Sequence, residues 1–177
     1  MRVVVGRWDT SPYGAFADAM VETAAGHRVL VAPSQEVADF VAATYSFDEV
    51  RIEPVTIDGW RFTSPSLAVE VETGARTALG RALRLVPARV AESPAWCTLT
   101  DPVARVVMRG VRTRGSAGGG RREYYGATDN HALVAARGSF DGVDLGALAP
   151  VDPPPRFGFS STPRRPSVTT VVTTVRG

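Results

Sequence analysis

Apolar and polar positions alternate along the chain in short runs, broken repeatedly by glycine, proline and small polar residues. Arg2 to Arg7 is valine-rich and reads as a strand. The stretch "SPYGAFADAMVETAAG" allows two readings. As a helix it has Ser11 as N-cap, Pro12 at the first position and Gly26 just past the end, with Tyr13, Phe16, Met20 and Val21 on one face. As a hairpin, "FADAMVE" and "HRVLVAP" pair across "TAAG". The balance tips to the hairpin, and the choice matters: a helix here gives a βαβ-like start, a hairpin an antiparallel one.

"SQEVADFVAATY" predicts a helix capped by Ser34, with Val37, Phe40, Val41 and Tyr45 on its buried stripe. "VRIEPVTI", Asp58-Gly59 and "WRFTS" predict a hairpin around a tight turn. "LAVEVE" alternates strictly, Leu67, Val69 and Val71 inward and Glu70 and Glu72 outward. "RTALGRALRLVP" predicts a short helix stopped by Pro87. Between Ser93 and Arg114 the pattern is ambiguous. Either a helix starts at Asp101-Pro102 and ends near Gly110, or "ARVVMRGVRTR" is a long strand. "REYYGAT" and "HALVAARGSF" read as separate strands, and "SVTTVVTTV" as a terminal, β-branched strand that needs pairing inside a sheet. The glycine-rich stretch 115–120 predicts a flexible loop, and 150–166 a proline-rich surface segment. Together these elements predict one α+β domain spanning 1–177. Its sheet is mostly antiparallel, or a partly closed barrel, with two or three packed helices.

Composition narrows the chemistry. At 177 residues, 44% apolar and 21% charged, the chain can bury a sizeable core. Cys97 is the single cysteine, so no internal disulfide forms, and no cysteine cluster offers a metal site. The opening "MRVVVGRWDT" has too short an apolar run for a signal peptide, and no run is long enough to span a bilayer, so a soluble, cytoplasmic protein without membrane contact is expected. All 20 basic residues are arginine. Without lysine there is no Schiff-base nucleophile, no lysine anchor for pyridoxal phosphate and no Walker-type lysine. No cofactor is expected.

Charge is unevenly placed. Residues 1–60 hold 4 arginines against 9 acids, and 61–177 hold 16 against 9. The sharpest basic stretch, from Arg105 to Arg122, has six arginines and no acid. Such polarity steers anions or orients self-association. Its centre, "GVRTRGSAGGGRREYYGATDNH", is the first candidate site. "GSAGGG" lacks the glycine spacing of a dinucleotide-binding loop. It can still cradle an anion through backbone N–H groups, with Arg114, Arg121 and Arg122 as bidentate donors, or it is simply a hairpin tip with solvated arginines. The hairpin tip is the simpler reading. Arginines beside Tyr124 and Tyr125 also suit phosphates and bases, but a net charge of +2 and the acidic N-terminal third argue against nucleic acid.

His131 stands two residues from Asp129, an arrangement that can tune a general base, with Tyr125 as proton donor or orienting group. The plainer reading places Asp129-Asn130 in a turn. Nothing basic flanks Cys97, so it reads as a buried, inert thiol. No metal-ligand spacing is present.

"FADAMVETAAGHRVLVAPSQEVADFVAATYSFDEV" and "GALAPVDPPPRFGFSSTPRRPSVT" resemble an uncharacterised family of small proteins from GC-rich bacteria, a resemblance that implies no activity. The run from "DGWRFTSPSLAVEVETG" to "RREYYGAT" is more distantly similar to acetoacetate-decarboxylase-like β-barrel proteins, on strand order and loose spacing. That resemblance implies an antiparallel barrel with an interior pocket for a small organic acid. The catalytic lysine of the decarboxylases has no counterpart here.

The leading expectation is therefore a domain that binds a small anionic ligand. Arg114, Arg121 and Arg122 would hold the anion, Tyr124, Tyr125 and Trp60 would supply apolar walls, and an interior Arg109 or Arg137 would make a stronger pocket. One rival is a lyase- or hydrolase-type enzyme using His131, Asp129 and Tyr125. The other is an interaction protein, a homodimer joined through an edge strand such as "SVTTVVTTV".

Overall fold

A computed structural model describes residues 1–108, 110–160 and 162–177. In chain order its elements are β1 (Arg2–Trp8), β2 (Phe16–Glu22), β3 (Arg28–Ala32), α1 (Gln35–Ala42), β4 (Glu49–Ile52), β5 (Thr56–Asp58), β6 (Arg61–Thr63), β7 (Leu67–Arg76), α2 (Ala78–Leu83), α3 (Ala88–Ala91), α4 (Pro94–Val107), β8 (Arg114–Ser116), β9 (Arg122–Phe140), β10 (Val143–Asp144) and β11 (Ser167–Arg176). This is an α+β fold with mostly antiparallel pairing and, among the described residues, no closed barrel. Its contacts divide into two units: Met1–Glu72 with Ala135–Leu148, and Thr73–Val134 with Ala149–Gly177.

In the first unit β1, β2 and β3 pair antiparallel, and β4 joins β3 in parallel after α1. The hairpin reading of "FADAMVE" therefore holds. Period-two alternation is what its burial requires: Ala17, Ala19 and Val21 enter one apolar cluster, while Phe16 and Met20 pack on the other side against α1. The βαβ connection expected of the helix reading occurs one step later, as β3–α1–β4. Ser34 caps α1, its Oγ accepting from the Val37 N–H at 3.3 Å.

"VRIEPVTI" does not form one strand. Pro54 has no N–H to offer a ladder, and the chain divides there, β4 going to the first sheet and β5 to a second. The β5–β6 hairpin turns on Gly59-Trp60, one residue later than the expected Asp58-Gly59, with Gly59 at a φ of 56°. The second sheet runs β10-β9-β7-β6-β5. Phe62, Leu67, Val69 and Phe140 from it meet Val21, Val29 and Val31 of the first sheet in one core. Gly138 of β9 packs so closely on β7 that a Cβ there collides with the Ala68 carbonyl oxygen.

The second unit departs further from expectation. Among the described residues there are four helices rather than two or three, because α2 already ends at Leu83, ahead of Pro87, and Pro87 then opens the short helix α3. The ambiguous segment is helical from Pro94, capped by Ser93 Oγ accepting from Trp96 N–H at 3.2 Å, and runs through Pro102. The two expected strands of 122–140 are one strand of 19 residues. Asp129 and Asn130 sit inside it rather than in a turn because neighbouring elements satisfy them. Asn130 accepts from Thr77 Oγ1 at 2.7 Å and donates to Thr169 Oγ1 at 2.8 Å. The glycine loop is shorter than 115–120: Gly115 and Ser116 belong to β8, and Ala117 is buried. The proline-rich segment is not wholly on the surface, since Phe157 is buried and Phe159 stacks on Tyr125.

Gly138→Ala should destabilise the protein by about 1–3 kcal/mol, since β7 must move to admit the methyl group. Urea denaturation followed by circular dichroism measures this, and an unchanged midpoint would contradict the close approach.

Candidate functional site

Antiparallel partners share a sheet face, so register alone groups the candidate residues. Near its start β9 lies between β8 and β11. Arg114 is opposite Tyr124, which is opposite Thr174; Ser116 is opposite Arg122, which is opposite Arg176. Arg114, Arg122, Tyr124 and Arg176 thus project from one face. The opposite face is closed: Phe159 occupies the space beside Gly115 and stacks on Tyr125 with ring centroids 5.3 Å apart. Tyr125 also donates to the buried Glu123 at 2.9 Å.

The other arginines of this region are differently occupied. Arg112 is committed to the buried Asp101 at 3.0 Å. Burial works to raise the Asp101 pKa. The bonds from Arg112 and from the Thr113 and Arg114 N–H groups outweigh it and hold the carboxyl below the usual carboxylate range. Arg121 braces its own turn, donating to the Ala117 carbonyl at 3.2 Å. Arg114 donates to Thr98 Oγ1 at 3.4 Å. Arg122 and Arg176 face each other directly and have no carboxylate partner among the described residues. Arg176 carries no sequence signal; only the register of β11 brings it to this face.

The bulge in β9 decides the second group. Ala127 pairs with Val171 but Asp129 pairs with Thr170, so the extra residue Thr128 turns Asp129 and His131 to the face opposite Tyr125. His131 and Asp129 are brought together, Nε2 to Oδ2 at 3.7 Å; Tyr125 is not brought to them. Arg76 grips Asp129 at 2.8, 3.0 and 3.2 Å and holds its pKa down to about 2. The other imidazole nitrogen lies 3.2 Å from the Gly74 carbonyl. This pair shares its face with Tyr124 and Arg122, but α3 crosses between them. A Cβ on Gly126 would lie 2.6 Å from Glu92 Cα and 2.8 Å from the Ala91 carbonyl oxygen. Along the strand, Tyr124 and Asp129 are roughly 15 Å apart.

The remaining candidates stand elsewhere. Trp60 belongs to the first unit, half its surface exposed at the β5–β6 turn. Arg109 lies outside the described residues. Arg137 is exposed and paired with Glu70 at 2.8 Å, beside a depression of about 60 Å³ lined by Glu70, Glu72, Ala135, Ala136 and Arg137. Ligand pockets usually measure about 300–1,000 Å³, and two carboxylates against one arginine repel an anion. Cys97 is buried, and burial pushes its thiol up, as expected of an inert cysteine.

One group missed in the sequence stands out in the first unit. Asp18 is buried in β2 and accepts the Trp8 Nε1–H at 2.9 Å, and that indole in turn packs against Phe16 and Phe40. Burial raises its pKa to about 7, against which the indole hydrogen bond works. The signal available was its position, a lone carboxylate amid the apolar residues of "FADAM".

A carboxyl with a raised folded pKa favours folding most when protonated in both states, and that contribution disappears as pH rises through about 7. The stability of the wild type relative to Asp18→Asn should therefore fall by on the order of 3–4 kcal/mol between about pH 4 and about pH 8. Chemical denaturation of both proteins across that range checks this; parallel pH profiles would refute it. Comparison with protein-family models, curated proteins and solved structures finds no match for this chain.

Proposed function

We propose that the protein binds a small oxyanion-bearing ligand on the face formed by β8, β9 and β11, as a binding protein rather than a catalyst. One observation carries this reading. Arg122 and Arg176 are direct cross-strand neighbours without a carboxylate between them. Like charges placed opposite each other destabilise a sheet pair, and an anion held between two guanidinium groups reverses the sign of that interaction. Arg114 extends the cation row, and the Tyr124 ring supplies an apolar wall with a hydroxyl at its end. Of the arginines expected to bind, Arg114 and Arg122 retain the role and Arg176 replaces Arg121.

A carboxylate or phosphate suits this set because a guanidinium fork donates to two oxygens of one group. The face is open on one side, which favours a ligand that is itself partly solvated. The enzyme reading has less support. Asp129 is tied to Arg76, and Tyr125 is turned to the other face.

A second reading has its own observation. Among the described residues β11 pairs only with β9, and no charge interrupts it before Arg176. An unpaired Val/Thr edge favours strand addition by a second copy. In sedimentation such a protein gives a concentration-dependent dimer that Val172→Lys disrupts; a monomer at every concentration would remove this reading.

For the anion site, calorimetric titration of the wild type with phosphate, citrate and a nucleoside monophosphate is expected to show binding by at least one. Arg122→Ala and Arg176→Ala should each weaken it about 10- to 100-fold, as expected for loss of a charge-assisted hydrogen bond. Without ligand, raising the salt concentration should stabilise the wild type more than either variant. Equal affinity in all three proteins, or no binding of any anion, would overturn the assignment.

A further inference from the structure

The arginine face offers more positive charge than one anionic group can use. In its outer row Ser116, Arg122 and Arg176 stand directly opposite one another across β8, β9 and β11. The next row is Arg114, Tyr124 and Thr174. Opposite residues in such a ladder hold their Cβ atoms about 5 Å apart, and diagonal ones about 7–8 Å. Arg122 and Arg176 are therefore close enough to share one group, while Arg114 reaches a second across the diagonal from Arg122. Among the described residues none of the three forms an ion pair. Arg114 makes one long side-chain bond, 3.4 Å to Thr98 Oγ1, which an anion can displace. Beyond the second row the face closes, since a Cβ on Gly126 would lie 2.6 Å from Glu92 Cα. Glu92 borders that end, so anionic groups find their favourable positions in the two open rows.

The shape of the donors selects among anions. A guanidinium fork matches two oxygens of one group. A carboxylate has only two, so one fork fills it and two facing forks cannot both close on it. A phosphate presents three acceptor oxygens and serves both. It carries about −1.5 to −2 near pH 7, so a single phosphate leaves the third arginine uncompensated. Two phosphates joined by an anhydride oxygen bring roughly −3 and extend toward Arg114. The hydroxyls of Ser116 and Thr174, which make no hydrogen bond among the described residues, add donors in the same two rows.

We propose, building on the anion-binding reading of this face, that its ligand is a compound bearing a diphosphate group, one phosphate clasped between Arg122 and Arg176 and the other held by Arg114.

The test is calorimetric titration of the full chain with inorganic phosphate, pyrophosphate and malonate at matched ionic strength. Pyrophosphate should bind at least about tenfold more tightly than phosphate or malonate. Arg114→Ala should weaken pyrophosphate about tenfold and phosphate no more than about threefold, so that the preference collapses. Arg165→Ala removes the same charge from an exposed position just before β11, roughly 30 Å along the strand from Arg176, and should leave the preference intact. Melting temperatures of both variants separate loss of binding from loss of fold. Phosphate and pyrophosphate binding equally, with Arg122 and Arg176 still required, would overturn the diphosphate assignment and leave the simpler anion site standing. Malonate binding as tightly as pyrophosphate would do the same. An equal loss in Arg165→Ala would reduce the preference to general charge and overturn it as well. Binding of none of the three anions would remove both readings.

Discussion

A strand of nineteen residues exposes two rows of backbone N–H and C=O groups, and each one out of reach of water needs a partner. β9 meets that requirement with different neighbours along its length: β8 and β11 near its start, β10 at its end, and β7 within the sheet order. Because paired residues share a face, this pairing decides which side chains meet. The single extra residue at Thr128 then reverses the assignment downstream. One inserted residue is why His131 and Tyr125 occupy opposite faces while His131 and Tyr124 share one. The candidate chemistry of the second unit is thus a consequence of ladder register.

Buried polar groups illustrate the same dependence on neighbours. Asp101 is enclosed but receives Arg112 and two backbone N–H groups, so it remains an anion. Asn130 is enclosed and joins Thr77 to Thr169. Among the described residues Asp18 receives an indole N–H and no cation, and burial dominates, which favours the neutral acid. The difference lies in the donors brought to each group, not in depth.

Much of the fold was legible in the chain. The α1 helix with its Ser34 cap, the β2–β3 hairpin and the alternation of Leu67, Val69 and Val71 rest on local periodicity and capping, which act over a few residues. What failed was set at longer range. Asp129-Asn130 has turn composition, yet Arg76, Thr77 and Thr169 satisfy it in an extended strand. α4 extends through Pro102 because local composition is overridden by packing of Cys97 and Ala104. Within the candidate site, Arg114, Arg122 and Tyr124 were visible as residue types in a basic run. Arg176, more than fifty positions away, was not, because cross-strand pairing leaves no mark in a single sequence. Trp60 was chosen for its chemistry alone, and its place at a turn of the other unit depends on sheet order that periodicity does not encode.

Gly126 and Gly138 both stand in β9 where neighbouring backbone leaves no room for a methyl group. Residues without side chains are ordinarily treated as spacers that drift freely. Here the tolerance is inverted: Arg137, chemically conspicuous and exposed, can change with the surface, whereas these two featureless positions cannot. Sequence variation among descendants of this chain would therefore be channelled away from the glycines of its longest strand and into its charged residues. The exposed arginine face can then be remodelled while the frame that presents it stays constant.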